Sequence, residues 1–191
     1  MNEFSAALIA GGRSRRMGTD KAFLAWQGRP LWEHQWEKLR ALHPRQLLLS
    51  CRREQPFPPD LTAVHDEWPD CGPLGGIASC LRVCTAPLLT VLGIDLPLLP
   101  GNFLDSLLGE CSEGCGAVIF SGEFFEPLVA VYPREMLALA EEQIGAGRLS
   151  MQDFVRSGVE SGLMRVAQVP VELQWFTNLN APADFPTSAT P

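Results

Sequence analysis

Apolar and polar positions fall along the chain in blocks whose lengths separate strands from helices. Ala6-Ala7-Leu8-Ile9-Ala10 is an unbroken apolar run, with the length and composition of a short buried strand. Leu31, Trp32, Trp36, Leu39 and Leu42 recur at near-helical spacing, with Glu33, Glu37, Lys38 and Arg40 mostly on the other side. That pattern predicts an amphipathic helix opened by Pro30 and closed before Pro44, with both tryptophans in the core. Gln46 to Ser50 reads as a second strand and Leu61 to Val64 as a third, ending in His65-Asp66. A helical pattern through Leu74, Ile77 and Leu81 follows, and then the most apolar strand, Pro87 to Gly93.

The second half is patterned differently. Phe103, Leu104, Leu107, Leu108 and Cys111 predict a helix from about Asn102, and Ala117 to Phe120 a strand. Leu128 to Tyr132 reads as an antiparallel neighbour of that strand, joined to it through a turn at Ser121-Gly122-Glu123. Helices are expected over Arg134 to Ile144 and, behind a capping box of Ser150 and Asp153, through Arg156. Met164 to Val169 is the last expected strand. Strand and helix alternate through the first half, which predicts a three-layer α/β fold with a mostly parallel sheet and right-handed crossovers, and an antiparallel element in the second half. No internal repeat or linker interrupts it, so one domain is expected over residues 1–185, with an unstructured tail at 186–191.

Composition narrows the function classes. The chain has 191 residues, 46% hydrophobic and 19% charged, with a formal net charge of -7. So acidic a chain is not expected to bind nucleic acid or anionic membranes through general electrostatics. Met1 to Phe4 has no signal-peptide pattern and no apolar run approaches the roughly 20 residues of a membrane span, so a cytoplasmic location is expected. The six cysteines include no C-x-x-C pair and read as small buried hydrophobes of a reducing compartment.

Against that acidity, one local segment is basic and glycine-rich. From Gly11 to Lys21 the chain carries Gly11, Gly12, Gly18, Arg13, Arg15, Arg16 and Lys21, directly after the first strand. Glycine lets backbone amides approach an anion closely, and the cations add fixed positive charge. Gly12 and Gly18 enclose five residues and Lys21 comes three later, which is not the spacing of a P-loop, and G-x-G-x-x-G is absent. The segment therefore reads as a triphosphate-binding loop of another kind. Two further places invite ligands. Gly72-Pro73-Leu74-Gly75-Gly76 precedes a helical pattern, where glycines serve either a ligand at the helix N-terminus or tight packing. Asp95 follows the most apolar strand, at the carboxyl end where α/β sheets bind ligands, or else caps the helix near Asn102.

Ile9 to Lys21 resembles the L-A-G-G-x-S-x-R-M-G-x-D-K signature of a nucleotidyltransferase family, and within it most resembles the molybdenum cofactor guanylyltransferases. Gly72 to Gly76 is similar to the family's G-P-L-A-G segment near the nucleotide base, and Asp95-Leu96-Pro97 to its D-x-P motif, whose aspartate binds metal. Asn178 to Asp184 is similar to N-x-N-(T/A)-P-x-D, although an Asx-turn explains two such asparagines equally well. The chain departs from the family pattern in places: Ser50 stands where asparagine is frequent, Glu126 where glutamine or histidine precedes Pro-Leu, and Gly75 where G-P-L-A-G has alanine.

The resemblance implies transfer of GMP from GTP to the terminal phosphate of molybdopterin, with release of pyrophosphate and Mg²⁺ as cofactor. It implies catalytic roles for Arg16, Lys21 and Asp95, with Asp95 the metal ligand. Ile9, Ala10, Gly11, Gly12, Arg13, Ser14, Lys21, Ser50, Asp66, Gly75 and Asp95 would bind nucleotide, with Asp66 accepting from guanine N1–H and N2–H₂. Asn178, Asn180 and Arg148 are assigned to the acceptor. Transient contact with apo-enzymes that receive the product is also implied. A cytidylyltransferase on the same pterin or another phosphorylated small molecule, and a noncatalytic nucleotide-binding chaperone for cofactor delivery, remain as alternatives.

Overall fold

A computed structural model describes residues 3–12 and 20–177. Its centre is a seven-stranded sheet of order β5-β4-β1-β6-β8-β7-β9. The strands are β1 (Phe4–Ile9), β4 (Leu47–Cys51), β5 (Ala63–His65), β6 (Leu88–Gly93), β7 (Gly116–Phe120), β8 (Phe125–Pro133) and β9 (Met164–Val166). A ribbon of two residues a side, β2 (Ala25–Trp26) against β3 (Arg29–Pro30), stands apart from it. The helices are α1 (Leu31–Ala41), α2 (Gly72–Val83), α3 (Gly101–Gly109), α4 (Met136–Gly145) and α5 (Met151–Glu160).

β1 and β6 are buried at all six positions each, as strands of a parallel sheet covered on both faces should be. Alternate side chains feed two cores. Ala6, Leu8, Leu88 and Leu92 pack with α1 and α3 through Trp32, Leu39, Phe103 and Leu104. Ala7, Ile9, Leu89 and Val91 pack with α2, α4 and α5 through Leu74, Ile77, Met136 and Phe154. The result is the three-layer arrangement that the alternation of elements predicted. Trp175 and Phe176 return to the first of these faces, Trp175 meeting Phe103 edge-on at 5.3 Å.

β1 pairs parallel with both β4 and β6, and β4 pairs parallel with β5. The chain thus leaves β1 to one side through α1 and crosses back through α2 to reach β6. The crevice at the carboxyl ends of β1 and β6 is therefore the point where strand order reverses, the usual ligand position in such sheets. The expected antiparallel element is β8, which pairs with both β6 and β7.

Several boundaries differ from the sequence reading for physical reasons. Gly72, Gly75 and Gly76 lie inside the first turns of α2 rather than before it: Gly72 opens the helix at a left-handed φ of 62°, and Gly75 and Gly76 are sites of close approach. A Cβ on Gly75 would stand 2.7 Å from an Asp66 carboxylate oxygen, and one on Gly76 would stand 2.6 Å from the Ser50 hydroxyl. Pro30 precedes α1 instead of opening it, and the last strand stops at Val166. Ser150 caps α5 as expected, its hydroxyl accepting from the Asp153 amide at 3.2 Å, while the Asp153 carboxylate pairs with Arg156 at 2.7 Å. Both tryptophans of α1 sit in the core, Trp32 buried and Trp36 packed partly buried against it. No helix among the described residues is long and apolar enough to cross a membrane.

Gly116 is the tightest point of the sheet, since a Cβ there would lie 2.0 Å from the Val131 carbonyl oxygen and 2.8 Å from the Pro133 ring. Gly116→Ala must push β7 off β8 and is expected to cost about 1–3 kcal/mol. Gly109→Ala, with nothing within 4 Å, is the control and should be neutral or slightly stabilising. Urea unfolding midpoints of the two variants check this, and equal midpoints would contradict the packing described.

Candidate active site

A cleft of about 830 Å³ opens at the carboxyl ends of β1, β4, β5 and β6. Its floor is the end of β1. The Ala10 amide donates to the Ser50 carbonyl at 2.9 Å, and the Ile94 amide donates to the Ile9 carbonyl at 3.2 Å. Gly11 and Gly12 follow on the cleft wall. A Cβ on Gly11 would make only ordinary contacts, the nearest at 3.8 Å, and one on Gly12 would meet nothing. Among the described residues, packing therefore does not demand glycine at either position.

The carboxylate of Asp95 faces this bend from the end of β6. One of its oxygens lies 4.0 Å from the Lys21 ammonium, both side chains being largely shielded. The other oxygen is buried and has no hydrogen-bond partner among the described residues, a costly state that a further ligand would relieve. Asp95 does not cap α3: Pro100 occupies that position and no side chain bonds there. Its loop is instead fastened on both sides by α1. The Gln35 amide donates to the Gly93 carbonyl at 3.0 Å and the Lys38 ammonium to the Pro97 carbonyl at 2.8 Å. Burial lowers Lys38 to about 8.

Asp66 and Ser50 line the opposite wall with His65. Asp66 accepts from the Trp68 amide at 2.8 Å. Burial nevertheless raises its pKa, only partly offset by the bonds from Trp68 and Ser79. Gly75 does not line the cleft itself; it lets Asp66 approach α2. The His65 ring turns a nitrogen to the Cys51 carbonyl at 3.3 Å.

The sheet thus brings Ile9, Ala10, Gly11, Gly12, Lys21, Ser50, Asp66 and Asp95 together around one cleft. Arg13, Ser14, Arg16, Asn178 and Asn180 lie outside the described residues. Arg148 does not join the cleft. It follows the left-handed turn at Gly147, which folds it back on the end of α4, where its guanidinium meets Glu142 at 2.9 Å. Arg148, assigned to substrate binding, thus stands apart from this cleft.

Three residues near the cleft were not anticipated. Arg52 and Gln55, from the turn after β4, hold the ends of the glycine-rich segment, and the run Arg52-Arg53 directly behind a strand was the available signal. Glu126 shares a smaller hollow of about 310 Å³ with Asp95. Burial raises its pKa, opposed by a 2.7 Å bond from the Ser121 hydroxyl and reinforced by the Asp95 charge.

The model of the MobA-like NTP transferase domain matches residues 6–161. The chain belongs to that family. Within the MobA-like transferases, it is 37% identical over 187 residues to a protein of Opitutus terrae named probable molybdenum cofactor guanylyltransferase, covering 94% of this chain and 92% of the relative. A molybdenum cofactor guanylyltransferase of Syntrophotalea carbinolica is 33% identical over 190 residues, covering 95% and 88%. The recognition read from the Gly11–Lys21 signature is thereby upheld. Among solved structures, the molybdopterin-guanine dinucleotide biosynthesis protein A of Archaeoglobus fulgidus superposes with a TM-score of 0.72 at 23% identity, covering 94% of both chains. A 2-C-methyl-D-erythritol 4-phosphate cytidylyltransferase of Thermus thermophilus superposes at 0.66 and 20% identity, covering 93% of both. Both share the fold, and as a MobA-like transferase the chain is a nucleotidyltransferase.

The raised pKa of Asp66 has a consequence for stability. The folded protein holds that proton more tightly than the unfolded chain, so ionisation above the folded-state pKa disfavours the fold. Asp66→Asn keeps an acceptor for Trp68 and removes the titration. It is expected to melt at or above the wild-type temperature at pH 7, with the difference closing as pH falls to the ordinary carboxylate range. Thermal scans against pH measure this, and a variant clearly less stable at pH 7 would refute it.

Proposed function

We propose that the protein transfers GMP from GTP to the terminal phosphate of molybdopterin, releasing pyrophosphate. The observation that carries this reading is the meeting of Lys21 and Asp95, 4.0 Å apart, across the cleft from the Gly11-Gly12 bend. The names of relatives at 33–37% identity support the guanine and pterin substrates.

In this reaction a terminal phosphate oxygen of the acceptor forms a bond to the α-phosphorus of GTP. The bond from that phosphorus to the β-bridging oxygen breaks, and pyrophosphate leaves with the electron pair. Two anions must be held together, so positioning and charge neutralisation carry most of the catalysis. Lys21 supplies a fixed positive charge to the departing pyrophosphate, and the bend at Gly11 and Gly12 admits phosphate close to the backbone. A phosphate monoester is already a nucleophile near neutral pH, so no side chain need remove a proton. Asp66 and the end of β1 would seat the guanine, its amino and N1–H groups donating to the carboxylate.

Mg²⁺ fits the donor set. The unpartnered Asp95 oxygen is a hard anionic ligand, and Mg²⁺ is commonly held by one or two carboxylates together with substrate phosphates. No cluster of three or more acidic, histidine or cysteine ligands occurs among the described residues, which suits that mode better than a site built wholly from protein. When bound at Asp95, the ion would neutralise charge developing between the α-phosphate and its leaving group.

Pyrophosphate release measured with each nucleoside triphosphate and purified molybdopterin tests the assignment; faster release from CTP would overturn it. Asp95→Asn is expected to shift the Mg²⁺ dependence of turnover to higher concentration, with partial recovery at saturation, because shape survives and one charge is lost. Superimposable Mg²⁺ curves would reject Asp95 as the ligand. Lys21→Ala should lower turnover on the order of 10²-fold, well beyond what any loss of melting temperature from leaving the shielded Asp95 carboxylate without its ion partner would explain. A large loss of stability with near-normal turnover would count against its role.

A further inference from the structure

The glycine-rich segment is described up to Gly12 and again from Asp20, and a single hydrogen-bonded network joins these two arms. Its donors come from the turn after β4, which emerges beside β1 because the two strands pair. From one nitrogen the Arg52 guanidinium donates to the Gly12 carbonyl at 2.7 Å and to the Gly11 carbonyl at 3.2 Å. From another it donates to the Asp20 carboxylate at 2.9 Å. The Gln55 amide donates to the Ala10 carbonyl at 3.0 Å and to the same Asp20 oxygen at 2.8 Å, and accepts from the Arg52 backbone amide at 2.7 Å. The second Asp20 oxygen accepts from the Ala22 amide at 3.1 Å, closing the turn that carries Lys21.

Three consecutive carbonyls of the outgoing arm and the carboxylate of the returning arm are thus gathered by two residues. The hydrogen bonds from Arg52 and Gln55 compensate the negative ends of these carbonyls, which would otherwise repel an anion in the cleft. Gln55 is 9% exposed and its amide is engaged through both its nitrogen and its oxygen, so this geometry is set before a ligand arrives. We propose that Arg52, Gln55 and Asp20 form a clasp of positioning residues that fixes the spacing between the Gly11-Gly12 arm and Lys21, and so the grip on the polyphosphate. The polyphosphate part rests on the nucleotide reading above; the spacing part stands without it.

The rival account treats Arg52 as a bare cation that attracts phosphate. Arg52→Lys separates the two, because an ammonium keeps the charge but lacks the fork needed to bridge three acceptors. Hydrogen exchange is measured first on the ligand-free protein, with Arg52→Lys, Arg52→Gln and Asp20→Asn compared. All three variants are expected to exchange faster at Ala10–Gly12 and Ala22–Leu24, with β6 and β8 unchanged. Steady-state kinetics follow. The KM for GTP should rise on the order of 10-fold in Arg52→Lys and Arg52→Gln alike, with the KM for the acceptor unchanged. The double variant Arg52→Gln/Asp20→Asn should be no worse than the worse single one, as for groups acting as a unit.

Wild-type exchange and KM in Arg52→Lys would overturn the clasp in favour of bare charge. Faster exchange throughout β6 and β8 in any of the variants would make the network a general fold element and equally overturn it. Should the wild-type protein bind no nucleoside triphosphate, the functional reading fails, while the exchange comparison still decides the clasp.

Discussion

Parallel pairing of β1 with β6 is the constraint from which the site follows. Ile9 and Gly93 are register partners, and the Ile94 amide donates back to the Ile9 carbonyl. The segment that begins at Ala10 and the carboxylate of Asp95 therefore leave the sheet from adjacent strand ends, about 4.8 Å apart in the pairing direction. Both faces of these strands are buried in separate cores, so the register is held twice over. A slip of one residue would send Ala7 and Ile9 to the face of α1 and α3, and would carry Asp95 away from the glycine bend. Core packing and site geometry are in this sense the same requirement.

Electrostatics then works against the chain's overall character. The net charge is -7, yet the cleft's functional logic needs cations and one carboxylate in the same small volume. Lys21 and Asp95 meet this by facing each other, so that neither charge is isolated in a largely shielded place. In the proposed reaction each partner is replaced by a stronger one: phosphate for Asp95 at the ammonium, and a divalent cation for Lys21 at the carboxylate. In that exchange neither charge is left without an opposite one, since the ligand-free site already holds both signs together.

The elements that carry the site were largely legible in the sequence because each is specified locally. β1 and β6 are continuous apolar runs, α1 and α3 have helical spacing, and Ser150 with Asp153 marks the start of α5. The alternation of strands and helices implied a parallel sheet with its ligands at the carboxyl ends; the reversal of strand order, seen in the structure, places Gly11, Lys21, Asp66 and Asp95 around one cleft. What was not legible depends on contacts between segments far apart in the chain. Asp20 could be assigned a partner only within its own loop, whereas Arg52 and Gln55, more than thirty residues on, supply it. Arg148 stands apart from the cleft because the left-handed turn at Gly147 decides its direction, and a Gly-Arg pair does not say which way the chain will bend.

The departures from the family pattern find partners in the same way. Ser50 stands where asparagine is frequent, and its hydroxyl occupies the space that a Cβ on Gly76 would need, 2.6 Å away. Gly75 replaces the alanine of the related segment, and there the Asp66 carboxylate and the Trp68 carbonyl fill the methyl's place at 2.7 and 2.8 Å. Both substitutions reduce volume at the junction of β4, the segment after β5 and α2, and both let polar groups come closer to the helix. The wall assigned to the guanine lies close against α2, with Asp66 held by the Trp68 amide. The serine at 50 and the glycine at 76 thus belong to one close junction, and in the proposed reaction the base edge would be met by Asp66 and the strand end beneath it.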